Sequence, residues 1–255
     1  MSGSSVRGER RSSSERLARE IEHGRRIAAR AEAIWNWDSP AGRRRAERRA
    51  GLFIERGGLG AGRRALELGC GTGVFLELVA RCGAALRGID LSPDLLSKAR
   101  ARVGCLPNVA LERGNAEALP HPDGCFDAVY GSSVLHHLDL EASLGEAFRV
   151  LRPGGRIVFA EPNILNPQVL VMFRIPWAKQ RFGVSEDEMA FSRFRARAAL
   201  LRAGFLDVRV EPFDFLHPET PARWIEGLMR LSLTLERVPL LREIAGSMLL
   251  QARRA

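Results

Sequence analysis

Strand-like and helix-like segments alternate through the middle of this chain, and that alternation limits its fold more than any other feature. RALEL (64–68), AALRGID (84–90), FDAVYG (126–131) and GRIVFAE (155–161) are short apolar runs bounded by turn residues, as buried strands are. Helical patterns at 74–82, 93–103 and 141–151 separate them. A strand returns parallel to its predecessor only through a crossover. The alternation therefore predicts an α/β, doubly wound, mostly parallel sheet with helices on both faces. Ser92 is placed to cap a helix with Pro93 at its first position. Ser185 and Glu188 form a capping box that opens a helix through Leu201, and Gly204 ends it.

The first run ends in LELGCGTG (66–73). A glycine-rich turn from strand into helix aims backbone N–H groups and a helix N-terminus at the carboxyl edge of the sheet, where such folds bind ligands. Asp90 ends the second run about 20 residues on, the place of a carboxylate that grips ribose hydroxyls. Two nucleotide motifs are excluded. No Lys-Ser/Thr follows the loop, as a P-loop requires, and the third glycine comes one residue early for a dinucleotide fingerprint.

Composition bounds the remaining classes. With 45% apolar residues, the 255-residue chain can bury the core of one large domain. No apolar run reaches the ~18–20 residues of a membrane span. The opening MSGSSVRGERRSSSERLARE has no apolar core like that of a secretory signal, and Glu9, Glu15, Glu20 and Glu22 argue against a transit peptide, so a cytoplasmic protein is expected. Cys70, Cys82, Cys105 and Cys125 lack metal-ligand spacing and are expected to be reduced, with no metal site. The formal charge of +9 raises the question of nucleic acid. Lys98 and Lys179 are the only lysines, however, and an arginine bias of this kind follows from GC-rich coding alone. With one tyrosine, stacking platforms for single strands are scarce, so nucleic acid is not the expected partner.

Residues 1–16 are expected to be a disordered Arg/Ser-rich tail, and 17–60 a basic helical segment and candidate lid. The domain proper follows over 61–255, with apolar, Pro-punctuated insertions at 162–190 and 216–245 suited to a pocket or cap. Within the lid segment, Arg43, Arg44, Arg45, Arg48 and Arg49 are expected to form a solvated face. The sharper alternative has Trp35 and Trp37 closing over a substrate while an arginine meets an anionic group. Trp224, Leu228, Leu231 and Leu235, at helical spacing, are expected to pack into a core or dimer face, or to roof a pocket.

ELGCGTG, GIDLS (88–92), GNAEALP (114–120), FDAVYGSSVLHHL (126–138) and LRPGGRI (151–157) occur in that order. Together they resemble the class I S-adenosylmethionine-dependent methyltransferases, type 11 branch, over roughly residues 62–215. The resemblance implies a seven-stranded Rossmann-like sheet with an antiparallel last strand, which SMLLQARR (247–254) fits with 206–215 beside it. It implies S-adenosylmethionine as cofactor: Gly69, Gly71 and Gly73 under its amino-acid portion, Glu67 on the ammonium, Asp90 on the ribose and Leu91 against the adenine. Asn115 stands where the family has Asp, and its side-chain oxygen can accept from the adenine amino group. Ala116 would offer its N–H to the ring, and Ser132 lies beside the methyl-transfer point.

Displacement at a sulfonium methyl depends chiefly on positioning. Proximity and orientation supply ~7–11 kcal/mol and a general base ~3–5 kcal/mol. His136, His137, Glu161 and His217 are candidates for that base. His137 and Glu161, at the carboxyl ends of their strands, are taken as catalytic. The plain alternative in VLHHL is one histidine that packs and one that caps. The function expected is methyl transfer to a small-molecule acceptor, an oxygen nucleophile on a lipid-like, aromatic or glycosylated metabolite. Methylation of RNA or another polyanion, and a non-catalytic cofactor-binding role, are the alternatives. The sequence assigns no oligomeric state.

Overall fold

The computed structural model describes residues 13–175, 177–179 and 190–255. One sheet of seven strands runs in the order β3-β2-β1-β4-β5-β7-β6. The strands are β1 (Arg64–Leu68), β2 (Ala85–Asp90), β3 (Val109–Arg113), β4 (Phe126–Ser132), β5 (Leu151–Pro162), β6 (Phe205–Phe213) and β7 (Ser247–Arg254). The first five are parallel, and β7 is antiparallel to both β5 and β6. The expected fold, antiparallel last strand included, is the one the chain adopts. Leu66, Leu68, Val129 and Ile157 are fully buried because central parallel strands are covered on both faces. β3 has no counterpart among the expected strands. It is an edge strand without a fully buried residue, so its apolar signal is weak.

The helices are α1 (Ser13–Ile27), α2 (Ala31–Ile34), α3 (Pro40–Gly57), α4 (Val74–Ala80), α5 (Pro93–Val103), α6 (Leu140–Val150), α7 (Pro167–Arg174), α8 (Arg193–Arg202), α9 (Ile225–Leu235) and α10 (Pro239–Arg242). Ser92 caps α5 as expected, its Oγ accepting from the Leu95 N–H at 3.3 Å. The Ser185/Glu188 capping box and residues 1–12 of the tail lie outside the described residues. α8 starts at Arg193 under a different cap, Ser192, because Phe191 is still paired to Asn163 in a β-bridge. Gly204 follows α8 at φ +92°, the left-handed position that ends a helix.

α3 packs on one face of the sheet through Ala46, Ala50 and Phe53, with the Phe53 ring 5.7 Å from Phe75 and 5.4 Å from Tyr130. α6 and α8 cover the other face. Within the segment read as a candidate lid, α3 is thus a fixed layer of the core, while α1 and α2 cross the carboxyl edge. The arginine run is a solvated face only at Arg43 and Arg44. Arg44 reaches Glu226 at 3.1 Å, Arg45 reaches Asp214 at 2.8 Å, and Arg48 holds Glu236 with both terminal nitrogens at 2.8 and 2.5 Å. Arg49 is buried. Folding of the 214–236 stretch over α3 brings those carboxylates to the run. The α9 stripe is not part of this chain's core and forms an exposed face, as a dimer surface would in the isolated chain. Trp224, Leu228 and Leu231 are exposed, while Ile225, Met229 and Ser232 face inward. Ser232 fixes that orientation by accepting from the Phe215 N–H and donating to Glu236, each at 2.9 Å.

Candidate active site

A cavity of about 440 Å³ opens at the carboxyl edge of β1, β2 and β4, beneath α1, α2, α7 and residues 214–218. The glycine loop forms its floor. Gly69 has φ +60°, and a Cβ there would overlap the Val134 Cγ2 methyl; Gly71 has φ +51°, and its Cβ would sit 3.3 Å from the Trp35 indole. Gly73 packs against Ala99 of α5 and does not line the cavity. The close approaches that demand glycine here come from the chain's own side chains.

Glu67, Asp90, Leu91 and Ala116 line one wall. Glu67 is 2% exposed, and burial pushes its carboxyl well above the usual range. The Tyr130 hydroxyl lies beside it outside hydrogen-bond geometry, and Glu67 Oε2 has no hydrogen-bond partner among the described residues. Asp90 accepts from the Gly71 N–H at 2.8 Å through Oδ2 and from the Ser92 N–H at 2.9 Å through Oδ1. Burial raises its pKa against the pull of those bonds. Asn115 is elsewhere: its Oδ1 accepts from the Glu117 N–H at 2.9 Å, holding a turn, and the residue does not line the cavity.

The opposite wall begins where β4 ends. Glu161, fully buried, does not reach the cavity. Its Oε1 accepts from the Val134 and Leu135 N–H groups, both at 2.9 Å, and Oε2 lies 2.8 Å from His136 Nδ1. His136 lines the cavity, stacked on His137 at 4.3 Å and edge-on to Phe173 at 5.7 Å. His137 also lines it, tied to α1: its carbonyl accepts from Arg16 at 3.1 Å and its ring sits 3.4 Å from Glu20. His217 lies at the mouth, 2.9 Å from the Gln168 amide. Ser132, the last residue of β4, accepts from Arg49 Nη1 at 2.8 Å.

Known proteins place this arrangement. The methyltransferase-domain family, type 11, matches residues 66–159. An uncharacterized methyltransferase of Synechocystis is 32% identical over 163 residues, 62% of this chain and 74% of that protein. The chain belongs to the class I S-adenosylmethionine-dependent methyltransferases, type 11 branch. A demethylmenaquinone methyltransferase of Tropheryma whipplei is 42% identical over 105 residues, 41% of this chain and 44% of that one. The chain spans less than half the length of the first curated relatives it matches. The fold is shared with phosphoethanolamine N-methyltransferase 2 of Haemonchus contortus, solved with S-adenosylmethionine, at a TM-score of 0.65 and 18% identity over 91% of this chain and 60% of that one.

The residues lining this cavity fit the family's cofactor. An orphaned carboxylate oxygen at Glu67 suits an ammonium group, since a buried anion without a partner is costly. Each Asp90 oxygen already takes one N–H yet keeps a lone pair for a hydroxyl. Arg49 lines the cavity from α3 with Trp35 and Trp37, nearer to the lid alternative than to a solvated face, and sequence reasoning missed Asp214, which lines it from the loop after β6. One signal for that loop is conformational. Asn36, Ser133 and Asp214, at φ +58°, +54° and +74°, are left-handed residues other than glycine, and all three line the cavity.

Proposed function

We propose that this chain transfers a methyl group from S-adenosylmethionine to an oxygen nucleophile on a lipid-like, aromatic or glycosylated small molecule. The observation that carries this reading is one cavity with two unlike walls: Glu67 and Asp90 on one side, and His136 backed by Glu161 on the other. S-adenosylmethionine, when bound, supplies an electrophilic sulfonium methyl. Glu67 and Asp90 would hold its ammonium and ribose, and Leu91 and Ala116 would flank its adenine. Glu161 accepts two backbone N–H bonds on Oε1, and its Oε2 lies 2.8 Å from His136 Nδ1. In this reading the imidazole carries its proton on Nδ1, toward Glu161, and takes the acceptor's proton on its other nitrogen. In this reading His136 is the base, Glu161 positions it, and His137 anchors α1 over the cavity.

A small acceptor is supported by the size of the cavity and by the name of the Tropheryma relative, a demethylmenaquinone methyltransferase. The arginines that suggested a polyanion are engaged with the chain's own carboxylates. The test is calorimetry with S-adenosylmethionine, followed by transfer of a labelled methyl to extracts split into organic-soluble and aqueous fractions. Label in a small organic-soluble product is expected. A protein that fails to bind S-adenosylmethionine, or that labels only RNA, would overturn the reading.

A further inference from the structure

We propose that Arg49 makes the inner end of the cavity a subsite for a carboxylate carried by the acceptor. This deepens the methyl-transfer reading and rests on it for the identity of the ligand as acceptor.

The argument starts from how the arginines of α3 are partnered. Arg44, Arg45 and Arg48 each hold a carboxylate within 3.1 Å. Arg49, the most deeply buried of them at 3% exposure, does not. Its Nη1 donates to Ser132 at 2.8 Å and approaches Ser133 at 3.4 Å, and its Nη2 donates to Ser247 at 2.7 Å. All three are neutral hydroxyls. Asp214 lies 3.7 Å away and is already bound to Arg45, so two guanidinium groups share one carboxylate. The Arg49 Nε is buried and has no hydrogen-bond partner among the described residues. Glu161 is close enough to act on Arg49 through its field, but its oxygens are taken by two amides and His136.

A buried cation is costly unless it is paired, and a guanidinium satisfied mainly by hydroxyls keeps its charge available to a planar anion. Its position gives that charge a use. Arg49 lines the cavity, and the Trp37 ring lies against it at 5.0 Å and against Arg45 at 5.7 Å, walling the two cations from solvent. Ser132, which Arg49 grips, ends β4 and lines the same cavity as the glycine loop and His136. Ser133 and Asp214, which approach the guanidinium at 3.4 and 3.7 Å, are both held in the left-handed region. A carboxylate at Arg49 would place the rest of the acceptor along the wall that leads to His136.

The test uses the full chain saturated with S-adenosylhomocysteine and matched probes: phenylacetate against phenylacetamide, and octanoate against octanamide. In titration calorimetry the acid of each pair should bind at least tenfold more tightly than its amide. Arg49→Gln should abolish that preference with S-adenosylhomocysteine affinity unchanged, and Arg49→Lys should keep part of it. Equal binding of acid and amide, no binding of either acid, or an acid preference that survives Arg49→Gln would overturn the subsite. Should Arg49→Gln fail to fold, the acid–amide ratio in the wild type and in Arg49→Lys decides between the subsite and its absence. Should the chain bind no S-adenosylhomocysteine, the same titrations without it decide: an acid preference lost in Arg49→Gln would uphold the subsite and overturn the methyl-transfer reading instead.

Discussion

Replacing Glu67 by glutamine should make the ligand-free protein more stable and the cofactor complex weaker, two opposite effects from one atom. The carboxylate is buried, its Oε2 is unpartnered, and burial raises its pKa well above the ordinary 4.5. The folded state therefore binds the Glu67 proton more tightly than the unfolded chain does. In that case stability falls as pH rises past about 4.5, and the loss levels off once the raised folded value is passed. An unsatisfied buried polar group costs ~1–3 kcal/mol, and a charged one more. Glutamine removes the charge but brings an amide that is itself imperfectly paired, so a net gain of ~1 kcal/mol is expected near neutral pH. In a chain of this size that is a rise of ~2–4 °C in Tm. The same charge should matter in the complex, where a charge-assisted bond to an ammonium is worth ~1.5–3 kcal/mol, or about 10- to 150-fold in affinity. Melting curves from pH 4 to 9 and calorimetry with S-adenosylhomocysteine, which keeps the ammonium, measure both halves. A Gln variant that melts lower than wild type, with the same pH slope and undiminished affinity, would refute the reasoning.

Gly69→Ala should cost ~1–3 kcal/mol, because its Cβ meets Val134 and its φ of +60° suits glycine; adding Val134→Ala should recover the steric part alone, as read from thermal melts of the single and double variants. Glu161→Gln keeps an oxygen for the Val134 and Leu135 N–H groups but turns an N–H toward His136 Nδ1. Nitrogen-15 NMR of histidine-labelled protein should show the imidazole proton move from Nδ1 to Nε2, and turnover on an identified acceptor should fall ~10²–10⁴-fold.

Features written into local runs were legible in the sequence. RALEL gave β1 to the residue and Ser92-Pro93 gave the start of α5, while SMLLQARR was placed as β7 by the family resemblance. That Glu67, Asp90, Leu91 and Ala116 would line one cavity was legible through the family resemblance, which sets the order of the motifs along the sheet edge. The partners of side chains distant in the chain were not. Nothing near Arg45 announces Asp214, 169 residues on. VLHHL shows two histidines, but Glu161, which singles out His136, comes from the next strand. Asn115 read as a ligand because its motif did, yet its side chain folds back on its own turn. The inward face of α9 was hidden for a similar reason, since a serine bonded to Glu236 outranks the leucines around it.

The place of β7 bears on how the protein is made. It follows β6 in the sequence yet lies between β5 and β6. As the chain leaves the ribosome, β5 therefore exposes an open edge through the making of α7 to α10, and β6 has no strand to join. Unpaired edges of this kind attract other chains, and pairings between distant segments form slowly. Ser247, the hydroxyl that receives Arg49 Nη2, arrives with the same strand. A nascent chain that has finished its glycine loop would still lack part of the cavity wall, so ligand binding cannot guide the early stages of folding and can only reward their completion.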